Sequence, residues 1–302
     1  MRAVIAFGGK MEKIIKSVLL GILQGLTEFL PVSSSGHLAV FKNIFGMEDV
    51  GLAFDILLHV GTLIAVFVVF YKDILQLIVN GFAIVGLVFY NAFLFVRNLF
   101  SKEKKEYKKI LDTPYRRFVM LVIVATLPTA VMGLLLNDTV EALGKTLIFP
   151  GIFLICTGII LLLGEKVSEG ALNEENLPYH KALIVGICQG IAVLPGISRS
   201  GSTITAARVC KADKEFAVKF SFILSIPVIL GSAVLDLPDF FEESAGTSDF
   251  AAYIAGMIAA ALVGYFCIKF MLKLIKNKGF KVFAYYCFLM GAFSIIMFLA
   301  GF

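Results

Sequence analysis

Seven apolar runs, at about 53–71, 74–97, 115–136, 146–164, 216–235, 250–274 and 281–301, each come close to the roughly 20 residues a helix needs to cross the hydrocarbon of a bilayer. A chain carrying them has little choice of class. Its 302 residues are 59% hydrophobic and 16% charged, with 29 phenylalanines, against roughly 45–50% and about 25% for an ordinary soluble domain. That much apolar surface does not fit inside one soluble core, so the sequence predicts an all-α polytopic membrane protein, a single integral-membrane domain embedded in the lipid bilayer. The formal charge of +5 is spread over the loops, which makes it a topology signal and argues against a nucleic-acid partner. Arg2, Lys10, Lys13 and Lys16 precede the first apolar stretch with no small-residue cleavage site after it, so no cleavable signal peptide is expected, and Met11 is an alternative start. The five cysteines lie scattered in apolar segments without CxxC spacing and read as small buried hydrophobes.

Two further apolar stretches, 14–46 and 182–209, are interrupted near their middles by a proline and a Ser/Gly cluster. Broken helices at membrane depth persist only where protein or a wet cavity satisfies the freed backbone groups. Both stretches therefore read as re-entrant helix–loop–helix hairpins. They also resemble each other: "GILQGLTEFLPVSSSGHL" from Gly21 aligns with "GICQGIAVLPGISRSGST" from Gly186. Gln24, Gly25, Ser35 and Gly36 map to Gln189, Gly190, Ser200 and Gly201, all at an offset of 165 with a one-residue slip at the prolines. A duplicated half follows, with repeat 1 at about 12–164 and repeat 2 at about 181–302, and a binding site where the paired broken helices meet.

Orientation follows the lysine and arginine bias. Segments 101–117 and 273–281 hold seven and four basic residues and should be cytoplasmic, whereas "DLPDFFEESAGTSDF" (236–250) holds none and should lie outside. Parity then bears on 74–97. If it spans, both hairpins open to the same face; if it lies along the interface, the repeats are inverted, each with a hairpin and about three spanning helices. Gln76, Asn80 and Asn91 interrupt this segment, and Lys72 and Arg97 bracket it with charge. The interfacial reading is favoured, because only inversion brings the two hairpin tips together from opposite sides.

Ionisable groups at membrane depth are expensive, about 2.5–3.5 kcal/mol each on insertion scales, and default to functional hypotheses. In the first hairpin Gln24 and Glu28 share a helix face. Pro31 ends that helix, and Ser33, Ser34 and Ser35 supply hydroxyls and a cap for the next one, with His37 on its first turn. The second hairpin carries "PGISRSGSTIT". Arg199 stands there among Ser198, Ser200, Ser202 and Thr203, with Gly196 and Gly201 letting backbone approach a ligand. A guanidinium beside a serine-rich helix start is chemically a phosphate clamp. Brought together, the hairpins hold a carboxylate, hydroxyl nucleophiles, a histidine and an arginine, the equipment for phosphoryl transfer from a lipid-borne substrate. Ser34 with His37 as its general base is the preferred nucleophilic pair. Attack by water, with His37 or Glu28 as base, is the alternative. Asp55 and His59, four residues apart, read as pocket rim or packing.

"QGLTEFLPVSSSGHL" and "PGISRSGSTIT" resemble the two signature motifs of the bacterial undecaprenyl-diphosphatase family, associated with bacitracin resistance, and the resemblance runs from about residue 12 to the end of the chain. It implies an integral-membrane enzyme of the bacterial cell membrane that removes a phosphate from undecaprenyl diphosphate, regenerating the carrier lipid of cell-wall synthesis. It also implies two inverted repeats with paired re-entrant hairpins and six spanning helices. Carried onto this chain, it makes Glu28 the essential carboxylate, with Ser33, Ser34 and His37 in the site and Ser198, Arg199 and Thr203 from the second motif. Gln24, Ser35, Ser200 and Gly201 complete the expected substrate-binding set. The family's divalent dependence implies Mg²⁺ or Ca²⁺ on Glu28, with Gln24 standing at a position that is Glu or Gln in the family. Expected partners are the polyprenyl diphosphate lipid and the bilayer, with a homodimer left open, and the site should face the extracellular side.

Two rivals are weighed against this reading. The acid-phosphatase type of lipid phosphatase needs a histidine about six residues after the arginine, and position 205 is threonine. A transporter or flippase of a polyprenyl phosphate lipid shares the architecture of paired broken helices, and only an activity measurement separates it.

Overall fold

Every apolar run of the sequence becomes helix. The computed structural model describes residues 2–47, 52–235, 250–277 and 279–301, and within them the chain forms eleven helices and one isolated bridge between Leu172 and Ala212. In order they are α1 (Arg2–Thr27), α2 (Ser34–Phe45), α3 (Leu52–Val69), α4 (Tyr71–Phe100), α5 (Pro114–Gly144), α6 (Ile148–Glu165), α7 (Tyr179–Ile191), α8 (Arg199–Val209), α9 (Lys214–Leu235), α10 (Phe250–Asn277) and α11 (Lys281–Leu299). Six of them, namely α4, α5, α6, α9, residues Phe250–Leu274 of α10, and α11, are long and apolar enough to cross a membrane, while the apolar part of α3, Ala53–Val69, is shorter. The protein is thus an all-helical polytopic membrane protein. The acidic loop 236–250, expected outside, falls almost wholly beyond the described residues.

Each interrupted stretch is a helix–loop–helix: α1 and α2 around residues 28–33, α7 and α8 around 192–198. The second helix of each pair starts the same way. Ser33 and Ser198 are the N-caps, and their hydroxyls accept the backbone N–H of Gly36 and Gly201 at 3.4 and 3.0 Å. Those two caps stand 165 positions apart, the offset of the sequence repeat.

Small residues decide how the helices pack. Lipid is as apolar as leucine, so helices in a bilayer gain from close van der Waals approach rather than from burial. Gly21 and Gly25 of α1 lie against Gly256 and Ala260 of α10, and Gly186 and Gly190 of α7 lie against Ala125 and Met132 of α5. Contact numbers rise together in both pairs, so α1 runs parallel to α10 and α7 parallel to α5. Gly151 and Gly158 of α6 meet Gly291 and Ala284 of α11, where the numbers fall, so that pair is antiparallel. Glu165 accepts the Phe280 N–H at 2.7 Å, closing the end of α6 onto the start of α11. Since α5 turns directly into α6, it runs with α11 and against α10. Hence α1 and α7 point in opposite directions, and the two loops approach each other from opposite ends of the bundle. Packed beside them is a phenylalanine-rich core in which Phe29 meets Phe222 edge-on at 5.4 Å and Phe216 stacks on Phe220 at 5.6 Å.

Candidate active site

The site lies where the two loops touch. Glu28 follows the last turn of α1, its N–H bonded to the Gln24 carbonyl at 2.9 Å, which keeps both side chains on one face. Its side chain is 4% exposed, yet its carboxylate is fully engaged. One oxygen pairs with the Arg199 guanidinium, 171 positions away on the first turn of α8. The other accepts Gln24 Nε2 at 3.0 Å and the Ser34 hydroxyl at 2.6 Å, and His59 Nε2 of α3 stands 4.0 Å from it. The N-termini of α2 and α8 thus present Ser34 and Arg199 to the same carboxylate. Unpaired N–H groups and the helix dipole make such ends favourable for anions.

Backbone contacts hold the loops together. The Ser35 hydroxyl accepts Gly196 N–H at 3.2 Å, and the Ser200 hydroxyl donates to the Leu30 carbonyl at 3.2 Å. Gly196, at φ +104°, occupies a conformation open to glycine. At Gly201 a methyl group would stand 3.1 Å from the Ser198 side chain and 3.3 Å from Pro31, so a side chain there would push its neighbours back by a few tenths of an ångström. Thr157 of α6, a residue no motif flags, donates to the Gly196 carbonyl at 3.0 Å and accepts the Ser198 N–H at 2.9 Å.

Of the residues singled out by sequence, Gln24, Glu28, Ser34 and Arg199 converge directly. Ser33 and Ser198 serve as caps, and Ser35, Ser200 and Gly201 tie the loops. Two of these residues have other partners in this structure. Thr203, expected to bind substrate, is fully buried, and its hydroxyl bonds the Arg199 carbonyl at 2.8 Å and Ser221 Oγ at 2.6 Å. A threonine one turn into a helix commonly bonds the carbonyl four residues back. Ser34, expected to act with His37, donates its hydroxyl to Glu28. His37 Nδ1 bonds the Ser33 carbonyl at 2.7 Å and Nε2 bonds the Tyr286 hydroxyl at 2.8 Å. A carbonyl only accepts, so in the neutral ring Nδ1 carries the proton and Nε2 accepts from Tyr286. Ser33 reaches this geometry at φ +68°, a value serine seldom adopts.

His59 and Tyr286 are the contacts the sequence left out. His59 and Asp55, expected as pocket rim or packing, line a polar cavity, and their spacing by itself signals only a shared face. Tyr286 sits on α11, 249 positions from His37, with no local signal at all. Tyr286→Phe should lower thermal stability by about 1–3 kcal/mol, the cost of leaving a buried ring nitrogen unpaired, while turnover falls less than about tenfold. Unfolding curves of the purified protein in detergent check this.

The oxygen donors present fit a hard divalent cation. Gln24 Oε1 is buried without a hydrogen-bond partner beside the Glu28 carboxylate. Among the described residues no group of three or more His, Cys, Asp and Glu side chains forms a cage. Such a set suits an ion completed by phosphate oxygens and water.

One cavity reaches the site at Ser35 and His59, and a second meets the first at Val140. The first, polar and of about 630 Å³, is lined by Ser35, Lys42, Asp55, His59, Lys145 and Pro195, with Lys42 held by Asp55 at 2.7 Å. It opens at the end of the bundle opposite the basic segments 101–117 and 273–281. The second, apolar and of about 640 Å³, lies between α5 and α9, lined by Leu134, Val193, Pro227 and Leu230 among others.

Residues 17–293 match the family model described as Bacitracin resistance protein BacA. The chain is 41% identical over 287 residues to an undecaprenyl-diphosphatase of Methanosphaera stadtmanae, covering 95% of this chain and 99% of that protein. It is 43% identical over 293 residues to one of Methanobrevibacter smithii, covering 95% and 98%. To one of Treponema denticola it is 44% identical over 273 residues, covering 90% and 93%.

Proposed function

Because the chain belongs to the bacitracin resistance protein BacA family, we propose that it hydrolyses undecaprenyl diphosphate to undecaprenyl phosphate and inorganic phosphate. The product carrier lipid returns to cell-wall synthesis, and the activity confers resistance to bacitracin. The observation that carries the reading is the convergence of Ser34, Gln24 and Arg199 on Glu28, a nucleophile, a base and a phosphate-binding cation in one nearly dry pocket.

Arg199 leaves Glu28 for the diphosphate when substrate binds. Its bidentate fork and the N–H groups opening α2 and α8 neutralise the transferred phosphoryl group, where negative charge concentrates in the transition state. Released from the guanidinium, Glu28 takes the proton of Ser34 as the hydroxyl oxygen bonds to the terminal phosphorus. The bond from that phosphorus to the bridging oxygen breaks, Glu28 passes its proton to the departing oxygen and becomes a carboxylate again, and undecaprenyl phosphate leaves. Water, deprotonated by the same carboxylate, then attacks the phosphoserine and frees inorganic phosphate, returning the proton to Ser34. His37, fixed between Ser33 and Tyr286, orients the loop that carries Ser34. Gln24 and Glu28 would hold a divalent cation, which neutralises diphosphate oxygens when bound. The isoprenoid chain occupies the apolar cavity between α5 and α9, whose walls match its chemistry.

The two helix–loop–helix stretches are re-entrant hairpins of two inverted repeats in one membrane domain. The opposed directions of α1 and α7 and the shared 165-residue offset of their caps and packing glycines support this. The polar cavity opens away from the basic segments, which supports a site on the extracellular face of the cell membrane.

The purified protein in detergent, given a prenyl diphosphate, should release inorganic phosphate and should stop when EDTA is added. Detergent removes membrane sidedness, so a flippase of the same architecture would release none. Absence of phosphate release in the presence of Mg²⁺ or Ca²⁺ overturns the proposal.

A further inference from the structure

α4 is unlike the other long helices. It runs 30 residues, about 45 Å at 1.5 Å per residue, yet only Ile74 and Leu94 of it are buried. The segment that follows does not continue away from it. Asn98 exchanges two hydrogen bonds with the peptide of Lys105, at 2.8 and 3.0 Å, and Asn91 does the same with Lys108. Lys108 also lies over the Tyr90 ring at 4.7 Å, and the Thr113 hydroxyl donates to Asn80 Oδ1 at 3.4 Å. Residues 101–113 therefore run back along α4. The lengths agree. Seven helical residues from Asn91 to Asn98 rise about 10.5 Å, and three extended residues from Lys105 to Lys108 span about 10 Å. The return ends where α4 began, with Tyr115 of α5 donating to Asp73 at 3.3 Å.

The returning segment carries Lys102, Lys104, Lys105, Lys108 and Lys109 against Glu103, Glu106 and Asp112, all of them exposed. If α4 crossed the bilayer, these eight charges would cross beside it, with only Asp112 paired, to Arg116, which the hydrocarbon does not tolerate. The helix itself is two-faced. At about 100° per residue, Asn80, Asn91 and Asn98 lie along one line, and Leu75, Phe82, Phe89, Phe93, Val96 and Phe100 lie along the opposite one. The phenylalanines are bare: Phe82 is 75% exposed, Phe89 71% and Phe100 87%.

We propose that α4 and the segment 101–113 form a platform that lies along the bilayer surface, its phenylalanine stripe in the acyl boundary and its lysines on anionic phospholipid headgroups. An apolar face with aromatic residues beside a basic strip is the chemistry of interfacial attachment, and the lysines select negative headgroups by charge. The asparagine ladder makes the platform one unit. It satisfies the peptide groups of the return segment on the polar side of the helix, so the apolar side stays free for lipid. Removing α4 from the spanning set also leaves the ends of α3 and α5 on one face, as the Tyr115–Asp73 contact requires.

The chain has no tryptophan, so Phe89→Trp, close to mid-helix, gives a single reporter in the full-length protein. In mixed phosphatidylcholine and phosphatidylglycerol vesicles, lipids brominated near the headgroup should quench it about threefold more than lipids brominated near the chain ends. Brominated phosphatidylglycerol should quench about twofold more than brominated phosphatidylcholine, and changing all five lysines to glutamine should abolish that difference while leaving the depth. Tyr107→Trp, on the return segment, should be reached by aqueous iodide. Strongest quenching by the deep bromines overturns the surface placement, because a spanning α4 puts residue 89 near the bilayer centre. Shallow quenching with no headgroup preference overturns the anionic-lipid partner. Phe82→Trp repeats the measurement should Phe89→Trp fail to accumulate.

Discussion

Arg199→Lys should retain no more than about a hundredth of wild-type turnover. Lysine keeps the charge but loses the planar fork, which can grip two phosphate oxygens at once, and removing one preorganised donor from a developing oxyanion costs about 10²–10³ in rate. Phosphate release under saturating substrate measures it, and turnover within a few-fold of wild type would remove Arg199 from phosphate binding. Stability gives an independent reading. Arg199→Met leaves Glu28, 4% exposed, without its cation, and breaking a buried pair in this way costs about 3–5 kcal/mol. The double variant Glu28→Gln with Arg199→Met buries no charge and should recover most of that loss while remaining inactive. If it does not, the pair contributes more to folding than its charges explain.

Ser34→Ala should lower turnover by several orders of magnitude while substrate binding is kept. A nucleophile that forms a covalent intermediate leaves no route behind when it is removed, and losses of about 10⁶ are on record for such residues. The 2.6 Å hydrogen bond from its hydroxyl to Glu28 motivates the expectation, since the proton is already aimed at the carboxylate that takes it. Were water the nucleophile and Ser34 only a donor, the loss would be that of one hydrogen bond to a charged group, about 1.5–3 kcal/mol or one to two orders of magnitude. Trapping a phosphoseryl species by rapid acid quench separates the schemes further. A tenfold effect with no trapped species assigns the attack to water.

Much of the machinery could be read from the chain alone, because its determinants are local. Apolar run length marks the membrane helices. Pro31 and Pro195 break two of them, and Ser33 and Ser198 restart the chain with caps that need only the residues three positions on. The repeat offset was legible for the same reason, since the same glycines meet helix faces in both halves.

Partnership was not local, and only the packed bundle decided it. Ser34 lies one turn from His37 in sequence, yet it bonds Glu28, because the loop turns its hydroxyl back toward the end of α1. His37 is bound by Tyr286 from the far end of the chain and Thr203 by Ser221 of α9. His59 comes within 4.0 Å of Glu28 because α3 and α1 both run alongside α10. The same holds for α4. Its composition fits a spanning helix, and its asparagines show their purpose only once the lysine-rich segment is seen lying against them. Helices and caps depend on neighbours a few residues apart, which a sequence displays. A hydrogen bond across the bundle depends on which faces the small residues bring together, and that is set by the packing of all the helices at once.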